Sequence, residues 1–272
     1  MHEIVRRLQR EGERVGVVPT MGALHEGHLS LVKLAQQTCT KTVATIFVNP
    51  TQFAPHEDFT RYPRTLPEDL RLLGSVGCDY CFVPGKDEMY PAGYSTYVQP
   101  PDVARRWEGE FRPEHFRGVA TVVLKLLNMI PADVACFGQK DYQQAAVIRA
   151  MARDLNLASQ IEIGAIIRDP DGLAMSSRNR YLSPAERARA LSLSQSLRQA
   201  REAYRSGERR ASAIAAMIGE TIEPQVDQVD YVAIVDGTSL EPVEHIDPRT
   251  VILLAVKIGS TRLIDNCLLT ET

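Results

Sequence analysis

Two histidines, His25 and His28, flank Gly27 shortly after the β-branched run Val15–Val18 and the turn Pro19-Thr20-Met21-Gly22. This reads as a strand, a tight loop and the mouth of a helix. The first turn of a helix carries N–H groups without intrahelical partners and the positive end of the dipole, which suits phosphate. Gly27 lets a phosphate approach the backbone closely, and the two imidazoles can donate to its oxygens. A helix with two surface histidines is the plainer reading. A zinc pair lacks a third ligand, because the intervening Glu26 points off the face the histidines share.

Three further segments carry residues of the same kind. Phe47-Val48-Asn49-Pro50-Thr51-Gln52-Phe53 runs from a strand into two amides. Amides donate and accept without charge, so they suit the hydroxyls and carboxylate of a small substrate; Asn49-Pro50 is equally good turn chemistry. Phe137-Gly138-Gln139-Lys140-Asp141-Tyr142-Gln143-Gln144 also ends a strand. Lys140 is a point charge for phosphate. Asp141 either accepts from ribose hydroxyls or caps the next helix. Met175-Ser176-Ser177-Arg178-Asn179 sets two hydroxyls beside an arginine, a loop able to wrap phosphates, although any surface loop can hold Ser-Ser-Arg.

The elements that must position these residues alternate. Strands are expected at Val15–Val18, Thr42–Val48, Tyr80–Val83, Val134–Phe137 and Ile161–Ile167, with helices at Leu29–Gln37, Pro67–Val76 and Tyr142–Leu155. The spacing of Val119, Val122, Val123, Leu126, Leu127 and Ile130 marks one more helix. Residues 84–118, rich in Pro, Gly and Tyr, read as a long irregular excursion. The alternation predicts an α/β fold, a Rossmann-like doubly wound parallel sheet whose ligands bind beyond the carboxyl ends of the strands. Asp169-Pro170-Asp171-Gly172 marks a boundary. After it come a capping box at Ser183–Glu186, helices to about Arg205 and over about Arg210–Ile222, and strands at Val229–Val235, Val251–Val256 and Thr261–Ile264. The expected organisation is a Rossmann-like domain over 1–168 and a smaller C-terminal α+β domain over 169–272.

Composition narrows the classes. Across 272 residues the net charge is −3, which disfavours nucleic-acid and membrane-surface binders. No apolar run is long enough to span a bilayer, and the charged start MHEIVRRLQREGERVG is unlike a signal peptide. The five cysteines, Cys39, Cys78, Cys81, Cys136 and Cys267, are scattered and odd in number, which fits a reducing cytoplasm. Cys78-Asp79-Tyr80-Cys81 leads into a strand rather than opening a helix, so it reads as two incidental thiols. There is no Walker A sequence, no Ser-His-Asp set and no Cys-His set. The residues themselves describe an enzyme acting on a nucleoside triphosphate and a small polar substrate.

PTMGALHEGHLSLV (19–32), IFVNPTQF (46–53), RYPRTLPEDL (61–70), FRPEHFRGVATVVLKL (111–126), CFGQKDYQQ (136–144), DGLAMSSRNRYL (171–182) and RLIDN (262–266) together resemble the pantoate–β-alanine ligase family, in the family's order and across nearly the whole chain. That family lies within the H-x-G-H nucleotidyltransferases. The resemblance implies ATP-dependent condensation of (R)-pantoate with β-alanine through a pantoyl adenylate, by a cytoplasmic homodimer requiring Mg²⁺, with the C-terminal domain as a dimer-associated lid. It implies ATP contacts from Met21, Gly22, Ala23, Leu24, His25, Glu26, Gly27, His28, Gly138, Gln139, Lys140, Asp141, Ile167, Met175, Ser176, Ser177 and Arg178. His28, His25, Lys140 and Arg178 would be catalytic. Gln52, Gln144, Asn49 and Arg112 would hold pantoate or β-alanine, and Glu68 and Asp69 align with acidic positions that can hold magnesium. Gln139, Thr51 and Glu114 depart from the family's usual residues, and the chain starts several residues short of its pattern. The rival readings are a simple nucleotidyltransferase, which releases a stable nucleotidylated product, and a nucleotide sensor without turnover.

Overall fold

Strands buried on both faces read as near-continuous apolar runs, and these runs form β1 (Val15–Thr20), β2 (Lys41–Ile46), β3 (Tyr80–Phe82), β4 (Val134–Gly138) and β5 (Gln160–Gly164). All pair in parallel, in the order β3-β2-β1-β4-β5. The structure is a computed structural model that describes residues 1–270 except His56. The chain divides into two compact units, each discontinuous in sequence. The first comprises Met1–Arg105, Arg112–Gln139 and Gln144–Ala165, and the second Arg106–Phe111, Lys140–Gln143 and Ile166 onward.

In the first unit, helices α1 (His2–Arg10), α2 (Glu26–Gln36), α3 (Leu66–Ser75), α4 (Lys86–Met89), α6 (His115–Met129) and most of α7 (Tyr142–Asp154) surround the five-stranded sheet. Val5, Leu8, Val123, Leu127 and Ile148 pack with Val15, Val17, Val43 and Phe137 on one face. Leu29, Val32, Ala35 and Leu73 pack with Val18, Ala44, Ile46 and Cys136 on the other. Each such side chain contributes roughly 1.5–3 kcal/mol on burial. The Rossmann-like parallel sheet matches the expectation, with differences at the edges. α2 starts at Glu26 rather than Leu29 because the histidine motif itself forms its first turn. α1 was not anticipated. β5 ends at Gly164, short of Ile167. The 84–118 excursion contains α4, a 3₁₀ turn at Asp102–Ala104, α5 (Glu108–Phe111) and the start of α6. Cys78 and Cys81 are free thiols whose pKa values burial raises, that of Cys81 to about 11.

In the second unit, α8 (Pro184–Arg205) and α9 (Ala211–Ile222) pack on an antiparallel sheet of β6 (Gln228–Asp236), β7 (Thr250–Ile258) and β8 (Thr261–Leu268). The expected capping box opens α8: the Ser183 N–H donates to Glu186 Oε2 at 2.8 Å, and the Glu186 N–H donates to Ser183 Oγ at 3.3 Å. Leu193, Leu197, Ile214, Ile218, Ile252 and Leu254 form its core. Two distant segments join it through side chains. Trp107 Nε1 donates to Leu240 O at 2.9 Å, and the Arg262 guanidinium pairs with Glu108 at 2.7 Å. Tyr142 OH donates to Gly237 O at 2.9 Å, and Asn266 Nδ2 to Lys140 O at 2.9 Å. Among the described residues no helix is long and apolar enough to cross a membrane.

Candidate active site

His25 is the N-cap of α2, which places Glu26, Gly27 and His28 in its first turn. The His25 backbone N–H donates to His28 Nδ1 at 3.3 Å, and the two rings lie 4.2 Å apart. An Nδ1 that accepts leaves the proton of a neutral imidazole on Nε2. His28 therefore presents a donor at the end of its ring while the other nitrogen caps the helix. Glu26 turns to solvent and pairs with Lys33 at 2.6 Å.

The loop before α2 carries two successive left-handed residues, Gly22 at φ +81° and Ala23 at φ +51°. It is held by Asp69, in the first turn of α3. Asp69 Oδ2 accepts the Ala23 N–H at 3.1 Å and Oδ1 accepts the Leu24 N–H at 2.8 Å. Thr65 Oγ1 donates to Oδ1 at 3.2 Å. Ala23 and Leu24 are buried, so neither their side chains nor these N–H groups face outward. Asp69 is thus a loop clamp in this structure and not an open metal ligand. Glu68 is paired bidentately with Arg71, at 2.9 and 2.6 Å. Among the described residues no group of three or more His, Cys, Asp or Glu is arranged to hold a metal. A cavity of about 460 Å³ opens beside Met21 and Gly22, walled by Ile46, Phe47, Phe59 and Val83. Its walls include Asp69 but not His25, His28 or Gln52.

The amide segment follows β2. Asn49 is 1 % exposed. Its Nδ2 donates to Gln52 Oε1 at 3.0 Å and to Gly118 O at 3.2 Å, and its Oδ1 accepts from Tyr90 OH at 2.8 Å and Thr51 Oγ1 at 3.0 Å. Both of its donors are engaged, so Asn49 orients Gln52, whose Nε2 reaches Met21 Sδ at 3.2 Å. Gly118 allows this approach: a Cβ there would lie 2.7 Å from Gln52 N and closer still to the Thr51 carbonyl. Arg112, expected near the substrate, forms a bidentate pair with Glu57 at 2.7 and 2.6 Å and donates to Gln52 O at 3.2 Å. Burial pushes the Glu57 pKa up, and the hydrogen bond and charge of Arg112 outweigh it, leaving it below the ordinary value. His115 Nδ1 lies 3.0 Å from the same Gln52 carbonyl. Glu57, Tyr90, Gly118 and His115 were not singled out individually from sequence.

Gly138 ends β4 in register with Gly164, followed by buried Gln139. Gln144 lies on α7, and its side-chain amide makes no hydrogen bond among the described residues. Met21, Phe47–Gln52 and Gln139 thus follow the carboxyl ends of three neighbouring strands, β1, β2 and β4. β1 and β4 are where the strand order reverses, the place at which open parallel sheets bind ligands.

In the second unit, Lys140 and Asp141 sit in a 3₁₀ turn with their charges 3.5 Å apart. Ile167 O accepts the Met175 N–H at 2.9 Å. Next to that bond, Arg168 pairs bidentately with buried Asp265 at 2.7 and 2.9 Å. Ser176 Oγ accepts the Arg178 N–H at 3.3 Å and caps the 3₁₀ turn Ser177–Tyr181. Ser177 is buried within it.

The sequence profile described as Pantoate-beta-alanine ligase matches residues 1–268. The pantothenate synthetase of Pelotomaculum thermopropionicum is 52% identical over 266 residues, 97% of this chain and 94% of that protein. The crystal structure of pantothenate synthetase from Thermus thermophilus superposes with a TM-score of 0.92 at 42% identity, covering 98% of each chain. The pantoate-beta-alanine ligase of Francisella tularensis, complexed with beta-gamma ATP and beta-alanine, gives a TM-score of 0.82 at 33% identity over 100% of this chain and 95% of that one. Matched by that profile over residues 1–268 and half identical to a pantothenate synthetase over nearly its whole length, the chain belongs to the pantoate–β-alanine ligase family.

Proposed function

We propose that this protein condenses (R)-pantoate with β-alanine, using ATP, to give pantothenate, AMP and diphosphate. The observation that carries the reading is the His25–His28 pair at the mouth of α2, which follows β1, with the amide loop following the carboxyl end of the neighbouring strand β2. A carboxylate is a poor acyl donor to an amine at neutral pH, whereas an acyl adenylate is a good one. Pantoate's carboxylate attacks the α-phosphorus of ATP and diphosphate leaves; the amine of β-alanine then attacks the acyl carbon and AMP leaves.

The proposed ATP contacts are the segments Met21–His28 and Gly138–Asp141, Ile167, and Met175–Arg178. The donors proposed to meet charge that develops on the phosphoryl oxygens are His28, His25, Lys140, Arg178 and the α2 N-terminus. Gln52 and Gln144 hold pantoate. Asn49 acts through Gln52, and Arg112 through the Gln52 carbonyl. Glu68 and Asp69 do not fit a magnesium site, since Arg71 and the loop N–H groups occupy them. The magnesium of the reaction is accordingly assigned to the ATP phosphates. A homodimer, a lid function for 169–272 around an adenylate that must be kept from water, and a cytoplasmic setting suited to its free thiols complete the reading.

The test is release of AMP and diphosphate from ATP and Mg²⁺, with pantoate alone and then with β-alanine. Steady AMP formation only with both acids is expected. A stable nucleotidylated product without AMP would indicate a simple transferase, and binding without release a sensor. His28→Ala is expected to slow adenylate formation by roughly 10²–10³-fold in a folded protein; near-wild-type diphosphate release would overturn the role given to His28.

A further inference from the structure

We infer that Asp69 is a positioning residue for the nucleotide, acting through the backbone of the loop that precedes α2. Its carboxylate is 1 % exposed. It meets two consecutive N–H groups, those of Ala23 and Leu24, and the Thr65 hydroxyl. No salt bridge joins it to a cation among the described residues, so its charge is balanced by these donors alone. A buried carboxylate is tolerated only when such bonds replace its water.

The loop needs that anchor. Gly22 and Ala23 both have positive φ, a conformation that a residue other than glycine adopts only when its surroundings hold it there. Successive N–H groups flanking left-handed residues form a concavity that binds anions. Here the concavity is filled from within. Filling it has two effects: it fixes the exit of the loop into His25, and it keeps phosphate oxygens off the Ala23 and Leu24 N–H groups, leaving the α2 terminus and its imidazoles to receive them. Fit between the two partners is close, since a Cβ on Gly22 would lie 3.0 Å from Asp69 Oδ2. The inference rests on the proposed ATP role of Met21–His28, but the clamp can be read without it.

Asp69→Asn leaves one acceptor oxygen for two N–H groups and turns an amide donor toward the other. In the full-length protein, amide hydrogen exchange of Ala23 and Leu24 is expected to quicken at least about tenfold, while that of Ala135 and Cys136 in β4 stays unchanged. ATP–diphosphate exchange with pantoate should fall by about 10–100-fold with a raised KM for ATP, and the KM for β-alanine should hold within about twofold. Should Asp69→Asn not fold, Thr65→Val, which frees the carboxylate from one tether, carries the test with the same pattern at a few-fold size. Wild-type protection of Ala23 and Leu24 in the variant, or an unchanged KM and rate for ATP, overturns the inference. A wild-type protein that releases no AMP would instead defeat the ligase reading, and the amide exchange would still decide the clamp.

Discussion

The two units hold their candidate site residues by different means. In the first, hydrogen bonds to neutral partners stand out: Asn49 binds Gln52, Gly118 and Tyr90, and the Asp69 carboxylate is turned onto backbone N–H groups. In the second, arginine–carboxylate pairs do the equivalent work. Arg168 grips Asp265 beside Ile167, Arg187 bridges Asp169 and Asp171 at 2.8 Å each, and Arg262 joins Glu108 to Asp230 at 2.7 Å each. Arg112–Glu57, Arg71–Glu68 and Lys33–Glu26 are exceptions in the first unit. Hydrogen bonds to neutral partners are short and directional, and they respond little to salt. Ion pairs reach across longer gaps but are sensitive to salt where exposed and to the loss of either partner where buried.

The contrast is open to attack, beginning where the effect is largest. Asp265 is buried, and Asp265→Ala leaves the Arg168 guanidinium, itself partly exposed, without its bidentate partner. A loss of about 3 kcal/mol in denaturant unfolding is expected; less than about 1 kcal/mol would remove the ion pairs from the account of the second unit. Next, Gly118→Ala forces a methyl group against the Thr51–Gln52 backbone. Overpacking of this kind costs about 1–3 kcal/mol, and the KM for pantoate should rise more than that for ATP. Equal rises would mean that the amide loop does not hold pantoate.

Smaller is the pH effect at Glu57. Burial opposes its ionisation, but Arg112 prevails and its pKa is lowered. A depressed native pKa means that the stabilisation is present above the unfolded-state value and is lost as pH falls through the native value. The stability gap between wild type and Glu57→Gln should therefore be full at neutral pH and shrink toward zero in acid. A gap that grows on acidification would reverse the sign. The smallest effect is that of salt on the exposed Arg249–Asp247 pair, where Asp247→Asn is expected to lower stability slightly at low salt and by less at high salt.

Much of this was legible in the amino acids. β1, β2 and β4 announce themselves because strands covered on both faces need apolar residues at consecutive positions, and the polar runs after them mark the crevice. Asp69 was visible as an acidic residue in a first helical turn but not as a clamp, since its partners lie more than forty residues away in sequence and no local pattern encodes such a pairing. Asn49 looked like a ligand for the same reason: nothing nearby showed that Gly118 and Tyr90 would occupy it. α1 escaped notice because its apolar face is narrow, with only Val5 and Leu8 buried in a charged segment. The transfer of Arg106–Phe111 into the second unit depends on Trp107 finding Leu240 and Glu108 finding Arg262.

The strand order has a kinetic consequence. β1 pairs with β2, its neighbour in sequence, through six registered positions, and β2 with β3; on its other side β1 pairs with β4, through Gly16 to Val134. Closing so long a loop is entropically the dearer step, and non-local pairing is slow to form. As the chain is synthesised, the amide loop and the histidine mouth can assemble on β1 and β2 while β4 is still unmade. The crevice itself exists only once residues near Gly138 have emerged and docked, so a nascent chain has its histidine-mouthed helix well before it has the full sheet end on which the proposed nucleotide site is built.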